Sequence, residues 1–203
     1  MIGLEHYASI KNNYCIGYFG NANEHLIQLK LLRPFMERKF PGLNIYLGCK
    51  DESMEYLRDC DNVIPISEMR KRKTEFAHIR ELRFDGKEHP LEKLMKECQI
   101  SSYAVPVPYK EDHTEQCVIL SESVYPVRPL LQKQIETLKR IAREKGYVPE
   151  VDISIDNAGL VMGVESTKLY EAASLGIQTT LVPTGLGERL YRNMFPNSDV
   201  IKL

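Results

Sequence analysis

Two rhythms of apolar residues run along the chain: short uninterrupted runs, and longer stretches at helical spacing. Residues 14–19 (YCIGYF) are an apolar run broken by Gly20 and Asn21, the pattern of a short buried strand. From about Asn23 to Lys39, the residues Leu26, Leu29, Leu31, Leu32, Phe35 and Met36 recur close to the helical period. Pro34 lies inside that stretch and predicts a kink or a split. Phe40-Pro41-Gly42 ends it, and residues 44–48 (NIYLG) read as a second strand. A short helix over 52–60 and a strand over 62–66 (NVIPI) come next, with Pro65 demoting that strand to an edge or an end. This β-α-β-α-β alternation implies parallel strands joined by helical crossovers.

Residues 67–86 are dense in charge and read as partly helical, and 89–100 as a helix with Pro90 near its first position. Residues 101–116 carry two prolines, polar side chains and no period, so a domain boundary is expected there. The expected domains are 1–104 and 105–203, two Rossmann-like α/β halves. In the second half, strands are expected at 117–121, 151–155, 159–164, 179–183 and 199–203. Helices are expected at 129–145, 167–175 and 187–195, the second closed by Gly176 as a C-cap.

The bulk numbers narrow the class. A chain of 203 residues with 43% hydrophobic and 27% charged residues is ordinary for a globular protein. The net charge of −1 gives no general attraction to nucleic acid, so none is expected as a partner. The cysteines, Cys15, Cys49, Cys60, Cys98 and Cys117, are odd in number and form no CxxC pair. That disfavours a zinc site and a disulfide framework, and suits buried thiols in a reducing compartment. The N-terminus lacks the apolar core of a secretory signal, and no run approaches the length of a membrane span. A cytoplasmic location is expected, with membrane contact at most peripheral.

The most patterned stretch is VMGVESTKLYEAASLGIQTTLVPTG, residues 161–185. An apolar run expected as a buried strand meets a Gly, an acid and two hydroxyls, and a helix follows from Thr167. Parallel α/β sheets bind ligands beyond the carboxyl ends of their strands, and a helix N-terminus offers free N–H groups and the positive end of a dipole. Ser166, Thr167 and Lys168 add hydroxyls and a charge, which suits a diphosphate. Glu165 suits a sugar hydroxyl instead. The same residues fit a plainer role, with Ser166 an N-cap and Glu165 a solvated turn residue.

This stretch resembles the Gly, acid, Ser/Thr, then x-Ala-Ala-x-Leu-Gly pattern of the ADP-heptose heptosyltransferases, a family of GT-B glycosyltransferases. Related forms occur in other nucleotide-sugar transferases and in UDP-sugar 2-epimerases. Tyr170 stands where the heptosyltransferase pattern has His. In the first half, GYFGNANEHLIQLKLLRPFMERKFPGLNIYLG is similar to that family's opening strand, helix, Phe-Pro and second strand. The family's Gly-Asp pair at the helix start is not matched; Glu24-His25 lies near its place and Gly20-Asn21 about one turn earlier. The resemblance implies a compact GT-B-like fold with a cleft between the halves. It also implies that Ser166, Thr167 and Lys168 face a diphosphate, with Glu165 on a donor hydroxyl.

An inverting transfer needs a base for the acceptor hydroxyl and positive groups for the leaving diphosphate. Glu24 and His25, after the first strand, are the expected base. The bland reading has both simply starting a helix. Ser121, Ser123 and Arg128 come after the first strand of the second half, with Arg128 suited to clamp a phosphate. Gly20, Asn21, Gly163, Thr184 and Gly185, with Gly187, sit at strand ends where glycine lets a ligand approach. No metal is expected, since Asp59-x-Asp61 closes a helix rather than a turn. The basic run 69–73 (MRKRK) reads as a solvated face, or as a contact for an anionic acceptor.

The expected function is metal-independent transfer of a sugar from a nucleotide-diphosphate donor to the hydroxyl of a glycan or lipid-linked acceptor, without a resident cofactor. Two alternatives stand beside it. One is a non-catalytic nucleotide-sugar-binding module or a subunit of a larger transferase. The other is an enzyme similar to the UDP-sugar 2-epimerases.

Overall fold

The structure, a computed structural model, describes residues 14–20, 23–51, 54, 60–83, 87–101, 103–108, 114–122, 129–183 and 187–203. Side chains of residues 14–16, 20 and 23–26 lie outside the description. Internal contacts divide the chain into two units, Met1–Tyr103 and Ala104–Leu203. Both are α/β with a parallel sheet, the Rossmann-like class that the alternating pattern implies.

In the first unit, β1 (Tyr14–Gly20) leads through α1 (Asn23–Lys39) to β2 (Leu43–Cys49). The helix runs unbroken past Pro34, which sits on its exposed side. Ile27, Leu29, Leu32 and Met36 form its buried face. Gly42, at φ +100, supplies the left-handed turn into β2 that a side chain would resist. The expected helix at 52–60 lies mostly outside the described residues. β3 (Val63–Pro65) then opens directly into α2 (Ile66–Lys71). Met69 of α2 lies on the sheet because Gly17 and Gly48 leave room; a Cβ on Gly17 would stand 2.7 Å from its sulfur.

The charged stretch 67–86 is helical in part, as expected, but it also holds a strand that its pattern does not announce. It is helical only at its start and then becomes β4 (Phe76–Leu82), which pairs with β1. Polar residues survive in this strand because their partners come from elsewhere. Arg80 forms a bidentate pair with the Glu97 carboxylate of α3 (Pro90–Glu97). His89 caps α3, its Nδ1 accepting from the Leu91 N–H at 3.3 Å. The sheet order is β3-β2-β1-β4.

The second unit runs β5 (Gln116–Leu120), α4 (Gln132–Glu144), β6 (Val148–Val151), β7 (Leu160–Gly163), α5 (Thr167–Ser174), β8 (Gln178–Leu181), α6 (Glu188–Met194) and β9 (Asp199–Val200). Its order is β6-β5-β7-β8-β9, all parallel. The strand expected at 151–155 forms earlier, at 148–151, and Asp152 at φ +52 turns the chain out of it. Right-handed crossovers that step one way from β5 and the other way from β7 put α4 on one face and α5 and α6 on the other. The α4 side joins Cys117, Ile119, Leu160 and Met162 to Ile135, Leu138 and Ala142. The opposite face takes the alternate residues Val118 and Val161, as strand periodicity requires. Gly176 (φ +81) ends α5 as the sequence suggests, with the Ile177 N–H reaching back to the Ala172 carbonyl at 3.1 Å.

Each sheet has one edge strand that contains a proline. In β6 the N–H groups of Val148 and Asp152 donate inward to Glu115 and Ile119, so Pro149, of opposite parity, faces its missing N–H outward. In β3 the Asn62 carbonyl accepts from Leu47, which by the same parity turns Pro65 outward.

Candidate functional site

The strand order of the second sheet changes sense between β5 and β7, the chain stepping to one side from β5 and to the other from β7. Segments leaving these two strands diverge to opposite faces, which opens a crevice beyond their carboxyl ends. Leu120 and Gly163, the last residues of the two strands, are in register. A Cβ on Gly163 would stand 2.7 Å from the Leu120 carbonyl oxygen, so glycine is what lets the strand ends lie this close. Ser121 comes directly after Leu120. Its N–H donates to Asp152 Oδ1 at 2.8 Å, and its hydroxyl donates to the other carboxylate oxygen. Ser121 is thus at the expected place, with its hydroxyl proton on Asp152. Sequence reasoning missed Asp152, because its role depends on β6 lying beside β5.

Across the crevice, Ser166 is the N-cap of α5, and its Oγ accepts from the Leu169 N–H at 3.3 Å. Its backbone is extended, at φ −151 and ψ 161. Thr167 and Lys168 fill the first two helical positions, whose N–H groups have no acceptor within the helix. Thr167 is buried, and Lys168 is exposed. Glu165 is 6% exposed, which departs from the solvated-turn reading. Its Oε1 accepts from the Tyr170 hydroxyl at 3.0 Å. The carboxylate also packs on Gly187, where a Cβ would fall only 1.6 Å from Oε2. Tyr170 is fully buried and meets the Tyr191 ring edge-on at 5.2 Å.

The structure therefore brings Ser121, Gly163, Glu165, Ser166, Thr167 and Lys168 to adjacent strand ends of the second unit. Asn21, Ser123, Arg128, Thr184 and Gly185 lie outside the described residues. Gly20 ends β1, and Glu24 and His25 fall in the first turn of α1; their side chains lie outside the description. In the basic run, Arg70 stacks over the Phe19 ring at 5.5 Å and Arg72 pairs with Glu75 at 2.6 Å, while Met69 is buried. Cys49, Cys60, Cys98 and Cys117 form no disulfide. Burial pushes the Cys49 thiol up to about 11 and the Cys117 thiol up to about 12, which keeps both protonated and unreactive.

No protein-family model and no curated protein matches the chain. Solved structures do. The likeness is to glycosyltransferases. Escherichia coli heptosyltransferase WaaC with ADP-2-deoxy-2-fluoro heptose gives a TM-score of 0.47 at 10% identity, over 92% of each chain. The same enzyme with ADP gives 0.45 at 13% identity, over 92% of this chain and 93% of that one. A family 9 glycosyl transferase from Veillonella parvula gives 0.49 at 10% identity, over 95% of this chain and 87% of the other. Among the described residues, no helix is long and apolar enough to cross a membrane.

Proposed function

We propose that the second unit binds the diphosphate of a nucleotide-diphosphate sugar at the β7–α5 junction, and that the chain transfers the sugar to an acceptor hydroxyl. One observation carries this reading. The order β6-β5-β7-β8-β9 puts the switch point between β5 and β7, where Leu120 and Gly163 end the two strands in register, Ser121 following the first and the turn into α5 the second. The N–H groups of Thr167 and Lys168, the Thr167 hydroxyl and the Lys168 ammonium are the groups that would hold the anion. They would also take up the charge that develops on the leaving diphosphate, so the transfer needs no metal. Glu24 or His25 would accept the proton of the acceptor hydroxyl. Contact of Glu165 with a donor hydroxyl would require its carboxylate to leave Tyr170 and Gly187.

A thermal-shift screen against UDP, GDP, ADP, CDP and CMP tests the reading. A ligand bound only to the folded state at about a hundred times its Kd adds roughly 2.7 kcal/mol of stability. The expected result is a raised melting temperature with one nucleotide, lost on combining Ser166→Ala with Lys168→Ala. No shift with any of the five would sink it. The inward placement of Glu165 favours a second reading, a non-catalytic nucleotide-sugar-binding module. That reading expects binding without turnover, and no change on replacing Glu24 or His25.

A further inference from the structure

The Glu165 carboxylate sits in a buried contact that diphosphate binding does not itself call for. One oxygen accepts from the Tyr170 hydroxyl at 3.0 Å, and the other lies against Gly187. Tyr170 packs edge-on against Tyr191 at 5.2 Å and against Phe195 at 6.0 Å, so its ring is held by α6 and the residue after it. The carboxylate thus joins the first turn of α5 to the start of α6. Ser166, the cap of α5, is the next residue along the chain. A carboxylate is a costly way to fill such a space. An apolar side chain would need no hydrogen bond there, whereas the buried acid must be satisfied at each oxygen. What the acid adds is direction: a hydrogen-bond acceptor fixes its donor's geometry more tightly than van der Waals packing does.

We infer that Glu165 and Tyr170 are positioning residues, a carboxylate–phenol pair that seats the first turn of α5 against Gly187 and so aims the Thr167 and Lys168 N–H groups at the diphosphate. The positioning role rests on the proposal that a diphosphate binds at this junction. It gives Glu165 a task other than touching the donor sugar. The two tasks separate cleanly by ligand. A residue that touches the sugar affects binding of the nucleotide sugar and not of the bare nucleoside diphosphate. A residue that aims the helix affects both equally.

The experiment is calorimetric titration of whichever nucleoside diphosphate the thermal screen selects, and of its sugar conjugate. The proteins are wild type, Tyr170→Phe, Glu165→Gln, the double variant and Tyr191→Phe. Tyr191→Phe is the control: it removes a buried hydroxyl from the same aromatic group, one that donates to Thr179 at 2.6 Å rather than to Glu165. Expected is a loss of about tenfold in affinity for both ligands with Tyr170→Phe and with Glu165→Gln. The double variant should lose little more than either single one, since the two residues act as a unit. Tyr191→Phe should bind as wild type does. Three outcomes overturn the inference: wild-type binding by Tyr170→Phe, a Glu165→Gln defect confined to the nucleotide sugar, or an equal loss in Tyr191→Phe. If wild type binds no nucleotide, the diphosphate reading falls and takes the positioning role with it. Amide exchange accelerated in Tyr170→Phe at residues 167–170 and 188–191 would then mark the pair as purely structural.

Discussion

Gly187 is a glycine for want of space and not for freedom of its backbone. Its φ of −80 suits any residue, yet a single added methyl would overlap the Glu165 carboxylate. Gly187→Ala is therefore expected to destabilise the second unit by about 1–3 kcal/mol, the usual cost of overpacking. In a Glu165→Ala background the same change should cost little. Urea unfolding of the four proteins in this cycle checks it; equal costs in both backgrounds would mean the overlap is relieved elsewhere. At this scale the sequence was legible only in part. Ser166 as a cap and Gly176 as a helix stop could be read, because both act within a few residues of themselves. The Glu165–Tyr170 pair could not, because a solvated turn acid and a buried one look alike until α6 is seen to close over them. Asp152 was missed for the same reason, since its partner Ser121 lies 31 residues away.

Among the elements, β4 shows where hydrophobic patterning fails. FAHIREL has only Phe76 and Leu82 buried, and its polar residues make it look like part of a charged helix. The strand is held by pairing with β1 and by the Arg80–Glu97 pair, neither of which leaves a trace in local periodicity. By contrast the span of α1 matches its expectation, while the split expected at Pro34 does not occur, the proline lying on the exposed side of one helix. The polar content of β4 also sets a pH dependence. Burial, then Arg80, holds the His78 imidazole below its ordinary value, with Glu97 opposing. The unfolded chain therefore takes up this proton first, and stability falls as pH drops below about 6.5, through the lower value of the folded state. The hydrogen bond from Arg80 holds the Glu97 carboxyl below the usual carboxylate range, helped by Arg80, Lys93 and His78 charges and opposed by burial. That contribution is present at neutral pH and is lost as pH falls below about 4.3. Each is expected to be worth under about 1 kcal/mol, since both groups are only partly buried and solvent screens them. Urea midpoints measured from pH 7 to pH 3 should fall, with His78→Gln flattening the upper window, and Glu97→Gln flattening the lower one while steepening the upper, since it removes the charge that raises His78.

At the scale of the whole molecule, each unit carries its own sheet and its own buried core. Contacts divide the chain after Tyr103, and residues 104–108 belong structurally to the second unit. The Val105 N–H donates to the Met194 carbonyl at 2.8 Å, and the Pro108 carbonyl lies so near Gly176 that a Cβ there would be 2.2 Å away. A fragment spanning 104–203 is thus expected to unfold cooperatively, and one beginning at 109 to be less stable by about 1–2 kcal/mol. Circular dichroism melts of the two fragments compare them directly, and equal midpoints would show that the segment contributes nothing. The alternation of strands and helices announced parallel sheets in both halves, but not their strand orders, which depend on crossovers that no local pattern encodes. The outward-facing prolines of β3 and β6 have a consequence for handling this protein. A neighbouring molecule that docks a strand along either border finds a gap in the row of donors it would need, so intermolecular sheet growth is interrupted on one side of each unit. Concentrated stocks should gel or form fibres, if at all, from the β4 and β9 borders.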